Sequence, residues 1–102
     1  MSERLADLEA VLRDRLTAAP PGSYSVTLLR DPEKAQRKIM EEAFEVCLEL
    51  GRRPVDRQRA AAEAADLVFH LLAGLVGADV AWADVEAELA ARRAAATGGE
   101  SS

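Results

Sequence analysis

From Ala60 to Ala78 the chain is apolar except for Glu63, Asp66 and His70, which stand three and then four residues apart. That spacing puts all three on one stripe of an α-helix. Carboxylates in a segment otherwise suited to a protein core are costly to bury unless paired, hydrogen-bonded or bound to a cation. The segment therefore predicts a core helix with a functional stripe, around which the remaining helices pack.

A run of this length approaches what a bilayer crossing needs, but it is dominated by alanine and carries two acids in its first half, which a membrane interior disfavours. The expectation is a core helix in a protein that does not span a membrane. With 102 residues the chain forms one domain, and much of its surface stays wet unless a second copy covers it. Its 13 Lys and Arg against 18 Asp and Glu give a net charge of −5, which argues against a general nucleic-acid or anionic-membrane surface. The lone cysteine, Cys47, sits in an apolar helical context and reads as an inert core residue, in keeping with a reducing, cytoplasmic compartment. Met1 to Leu16 alternates charges with leucines and lacks the apolar run of a secretory signal.

Leu5, Leu8, Leu12 and Leu16 recur at helical spacing and predict a first helix over about Ser2 to Thr17, stopped by Ala19-Pro20-Pro21-Gly22. Ser23 to Leu29 has no helical stripe and reads as a loop. Asp31 is a natural N-cap with Pro32 at the first helical position, so a second helix is expected from Pro32 to about Leu50. Gly51 to Asp56 reads as the connection between two antiparallel helices. The third helix spans about Arg57 to Val76 and is apolar on nearly every side, which predicts burial on nearly every side and hence a homodimer. A fourth runs from Trp82 to about Arg93 with Trp82, Val85 and Leu89 on one face and Trp82 as a core plug. The domain is read as residues 1–96, with a polar, frayed tail at 97–102. No strand pattern appears, and the class is all-α.

A second acidic group, Glu41, Glu42 and Glu45, crowds one side of the second helix. Like charges at these spacings destabilise a helix, and no lysine follows at 45, 46 or 49 to offset them. The group lies about two turns before the loop, and Glu63 and Asp66 lie about two turns after it, so antiparallel packing brings both sets to one height. Four or five carboxylates meeting there make a hard, oxygen-rich site suited to Mg²⁺ or Mn²⁺ rather than Zn²⁺. His70 is expected behind the site, bonding Asp66 or the backbone, and Glu49, near the loop, reads as surface. Arg30, Lys34, Arg37 and Lys38 concentrate positive charge just before the acids, with Lys34 and Lys38 on one face. Their ammonium groups are placed to reach phosphate oxygens near the carboxylates.

Three segments together carry a family resemblance: Ser23-Tyr24-Ser25, Lys34-x-x-x-Lys38-Ile39-Met40-Glu41-Glu42-Ala43-Phe44-Glu45, and Glu63-Ala64-Ala65-Asp66-Leu67-Val68-Phe69-His70-Leu71-Leu72. Over nearly its whole length the chain resembles the phosphoribosyl-ATP pyrophosphohydrolases of histidine biosynthesis, within the wider all-α, MazG-like nucleotide pyrophosphohydrolases. The Glu-Glu-x-x-Glu and Glu-x-x-Asp pair marks the superfamily; the Ser-Tyr element, the lysine pair and Asp-Leu-x-x-His-Leu-Leu mark the narrower family. The chain departs from the family pattern at Met40, where a glycine is usual, at Asp31-Pro32, where another stands, and at Ala81, where a serine commonly caps the last helix. None of these changes removes a carboxylate.

The resemblance implies a four-to-five-helix bundle of the all-α pyrophosphatase type, packed as a homodimer. It implies hydrolysis of phosphoribosyl-ATP between its α and β phosphates, giving phosphoribosyl-AMP and pyrophosphate, with a separate cyclohydrolase acting next. Carried over by position, Glu41, Glu42, Glu45, Glu63 and Asp66 would hold Mg²⁺, with Mn²⁺ as an alternative, and Glu42 or Glu45 would take the proton of the attacking water. Lys34, Arg37 and Lys38 would hold phosphates, and Ser23 and Tyr24 would line the mouth. Two other readings compete: a house-cleaning nucleoside triphosphate pyrophosphohydrolase with the same metal site, and a non-enzymatic helical dimerisation module whose acids are simply solvated.

Overall fold

The computed structural model describes residues 3–97 and is entirely helical over that span: α1 (Glu3–Ala18), α2 (Tyr24–Arg30), α3 (Pro32–Leu50), α4 (Arg57–Gly77) and α5 (Trp82–Thr97). The polar tail expected after Ala96 begins instead with a last helical residue, Thr97; residues 98–102 lie outside the described residues.

The starts of α2, α3 and α4 each have a local cause. The Asp31 carboxylate accepts from the Lys34 backbone N–H at 3.2 Å with Pro32 in the first turn, and Asp56 does the same for Arg59 at 3.1 Å. Ser23 caps α2 by accepting from Val26 N–H at 3.4 Å. The stretch from Ser23 to Leu29, which the sequence reads as a loop, is thus a cap and the first six residues of the seven-residue helix α2. Two turns are too short to display a stripe, and α2 is held by burial of Leu28 and Leu29 rather than by periodicity.

The core is Leu12 of α1, Leu28 and Leu29 of α2, and Leu72, Ala73 and Val76 of α4, with Leu8, Leu16, Phe69 and Trp82 packed against it. Only the second half of α4 lies in this core. α1 and α2 surround that half, whereas residues 61, 62, 65 and 66 in the first half are exposed in the single chain. Burial of α4 on nearly every side therefore fails for one copy of the chain. The helix meets the length and composition of a membrane crossing, and its Leu72, Ala73 and Val76 pack in the core with α1 and α2. The turn leaving α4 is close-fitting: a Cβ on Gly77 would lie 2.7 Å from the carbonyl oxygen of Leu29.

α3 and α4 form the most extensive helix pair, as the short loop between them predicts. α5 is attached mainly at its start, where the Trp82 backbone N–H donates to Glu9 Oε2 at 2.8 Å and the indole packs on the core. It runs a turn beyond the expected end, and Leu89 is exposed. Two further readings are corrected. Cys47 is exposed, on a face of α3 that also shows Met40, Phe44 and Leu48 to solvent. Glu49 is buried, because Arg59 reaches across from α4 to meet it.

Candidate metal centre

Antiparallel packing of α3 on α4 does bring the two acidic sets to one height. Ligand-capable oxygens of Glu42, Glu45 and Glu63 all lie within 4.8 Å of one another. Glu42 is buried, Glu63 is half-buried and Glu45 is exposed, so the cluster is a cup open on the Glu45 side. Glu63 Oε2 is buried and accepts no hydrogen bond. A proton shared with the Glu45 carboxylate, then burial, then the negative charges of Glu45, Asp66 and Glu42 together hold the Glu63 carboxyl above its ordinary pKa of 4.5. An orphaned buried oxygen among crowded carboxylates is an arrangement that a divalent cation would relieve.

The other two acids stand at the rim. Glu41 is exposed and paired with Lys38 Nζ at 3.2 Å, and the same ammonium lies 3.6 Å from Glu42 Oε1. Hydrogen bonding to Glu41 chiefly raises the Lys38 pKa, so this group stays charged. Asp66 is exposed; its charge is felt by Glu63, and its backbone oxygen receives a bond from His70 Nδ1 at 2.7 Å.

His70 is buried behind the cluster and bonded on both ring nitrogens. A carbonyl oxygen only accepts, so Nδ1 carries a proton, and in the neutral ring Nε2 accepts from the Tyr24 hydroxyl at 2.9 Å. Tyr24 is thereby committed to His70 at its tip, while its ring carries the Lys34 ammonium 4.9 Å from the centroid. Lys34 Nζ also donates to Thr27 Oγ1 at 2.8 Å, and that hydroxyl donates to the Tyr24 carbonyl oxygen at 2.6 Å. Ser23 turns its hydroxyl to the α2 cap, and Arg37 is exposed on α3. Thr27 had no signal in the sequence, since only the fold of α2 onto α3 sets it beside Lys34.

Residues 5–93 match the family model described as phosphoribosyl-ATP pyrophosphohydrolase. The chain belongs to the phosphoribosyl-ATP pyrophosphohydrolase family. Among curated relatives, the phosphoribosyl-ATP pyrophosphatase of Cereibacter sphaeroides is 46% identical over 91 residues, covering 88% of this chain and 84% of the relative. The protein of the same name from Dinoroseobacter shibae is 44% identical over 89 residues, covering 86% and 85%. That from Ruegeria pomeroyi is 41% identical over 90 residues, covering 87% and 84%. No solved structure gives a significant match.

For a member of this family the donor set fits a hard cation. Among the described residues every ligand of the cluster is a carboxylate oxygen, a donor set that suits a hard divalent cation.

Proposed function

We propose that this chain hydrolyses phosphoribosyl-ATP to phosphoribosyl-AMP and pyrophosphate in histidine biosynthesis, at a divalent-cation site built from Glu42, Glu45 and Glu63, with Asp66 and Glu41 completing it at the rim. The observation that carries this reading is the meeting of three carboxylates within 4.8 Å around an unpartnered, buried Glu63 oxygen, in a chain of this family. These carboxylates would hold Mg²⁺, which would supply charge neutralisation for phosphate oxygens and activation of water.

The chain's own residues do the rest. Of Glu45, on the open side of the cup, and Glu42, behind it, the one left free of the cation would take the proton of the attacking water. Lys38, which pairs with Glu41 and Glu42 in the cation-free chain, would turn toward phosphate. Lys34, one helical turn before Lys38, is presented by Tyr24 and Thr27, and Arg37 is exposed next to Lys38 in the chain. Fixed cations of this kind stabilise charge passing to the leaving pyrophosphate. His70, through the Asp66 backbone and Tyr24, ties α2 to the acid-bearing part of α4.

The working form is a homodimer in the cytoplasm. The apolar stripe Met40, Phe44 and Leu48 supports this, since these side chains are 65%, 64% and 53% exposed in one chain. A separate cyclohydrolase consumes the product. The test is pyrophosphate release across a substrate panel in Mg²⁺. Turnover of phosphoribosyl-ATP well above that of any simple nucleoside triphosphate is expected; preference for a free deoxynucleotide would reassign the chain to the house-cleaning class. Light scattering checks the dimer, which a strict monomer would refute.

A further inference from the structure

The acidic cup has a counterpart one helical turn away. Glu49 stands four residues after Glu45 on α3, and Arg59 stands four residues before Glu63 on α4. In an antiparallel pair these positions must face each other one turn beyond the meeting of Glu45 and Glu63, and they do. Glu49 Oε2 lies 3.3 Å from Arg59 Nη2, while Oε1 makes ion-pair contact with Arg52 Nε at 3.1 Å. The Glu49 side chain is only 5% exposed. Arg52 belongs to the loop that follows α3, so Arg59 is the cation of this trio that crosses to α4.

Like charges in the cup push α3 and α4 apart, most strongly when no cation is bound, because two carboxylates at such range repel in the partly desolvated space between helices. The opposite charges at Glu49 and Arg59 pull the same two helices together at the loop end. A buried carboxylate held by guanidinium groups resists separation, since parting it from Arg59 would leave charge buried without its partner across the interface.

We propose that the Glu49–Arg59 pair is a register lock that keeps the acidic cup closed before a cation arrives. Both are positioning residues, acting through Glu45 and Glu63. The lock rests on the cation reading of the cup. Its signature is a cation affinity that depends on a pair too far along the helices to act as ligands. Without the lock, the cation-free cup relaxes open and binding must close it again, so affinity falls and the cation stabilises the fold less.

The experiment titrates Mg²⁺ alone, and Mn²⁺ in parallel, into the wild-type chain and into Arg59→Gln, Arg59→Lys and Glu49→Gln by calorimetry, and records Tm with and without saturating cation. Arg59→Gln and Glu49→Gln are expected to raise Kd for the cation about three- to tenfold and to shrink the cation-induced rise in Tm, whereas Arg59→Lys, which keeps the charge, stays within about twofold of wild type. Should Glu49→Gln fail to fold, the Arg59 pair carries the test, because that side chain is 62% exposed. Glutamine variants that lower Tm while leaving Kd and the cation-induced increment unchanged would show a merely structural pair and overturn the lock. A wild-type chain that binds neither cation overturns the cation reading itself.

Discussion

The hydroxyl of Tyr24 donates to Nε2 of His70 across 2.9 Å, joining the short helix α2 to the helix that carries Glu63 and Asp66. The two functions of Tyr24, its hydroxyl bond and its ring beneath Lys34, are separable by substitution. Tyr24→Phe keeps the ring and strands a buried imidazole nitrogen, so it should cost about 1–2 kcal/mol in urea denaturation with KM changed less than about twofold. Tyr24→Ala should in addition raise KM, because Lys34 then loses the surface that presents it. Equal KM for both variants would contradict that division.

Glu63→Gln separates stability from turnover. Removing a negative charge from the crowded cup should stabilise the cation-free chain, and it should lower kcat by about two orders of magnitude or more by removing a ligand. Glu41→Gln, at a side chain already turned to Lys38, should cost less than about tenfold. Steady-state kinetics and Tm on the same preparations check both. A Glu41 variant as damaged as the Glu63 variant would place Glu41 at the centre of the site.

The pH dependence of the cation-free chain follows from the raised Glu63 pKa. A group whose pKa is higher folded than unfolded stabilises the fold below its unfolded value and loses that contribution as pH rises through the folded value. The window therefore opens near the ordinary value of 4.5 and extends upward from it. Urea midpoints of wild type should decline across that window relative to Glu63→Gln, which has no such proton. Cation affinity should rise over the same range, because protons compete for the ligand oxygens.

Two backbone positions should respond in opposite directions. Ala19 closes α1 with φ of 46°, a left-handed conformation, so Ala19→Gly should stabilise by about 1 kcal/mol. Gly77→Ala gains up to about 1 kcal/mol of helix propensity but drives a methyl to 2.7 Å from the Leu29 carbonyl oxygen, which backbone must yield to. Overpacking of that kind costs about 1–3 kcal/mol, so the net effect should be destabilising. Thermal melts of the two variants decide both signs.

Periodicity and caps were enough to read α1, α3, α4 and the start of α5, because long amphipathic segments and Asp31-Pro32 advertise themselves locally. The meeting of Glu42, Glu45 and Glu63 was legible too, since a short loop and equal distances from it fix the height of both sets. The residues misread are those whose environment is supplied by another helix. Glu49 near a loop looks solvated until Arg59 arrives from α4, and Cys47 looks buried until α3 is seen to turn that face outward. α2 carries no local signal because its stability comes from Leu28 and Leu29 in the shared core.

The cup is assembled by helical phase, which makes chain length matter unequally along the sequence. Each residue advances a helix by about 100°, so one residue inserted between Arg59 and Glu63 would swing Glu63 and everything after it off the α3 face. The same insertion within 52–55 lies outside both helices and leaves their faces as they were. Natural variation in length should therefore collect in that loop and stop at Arg57.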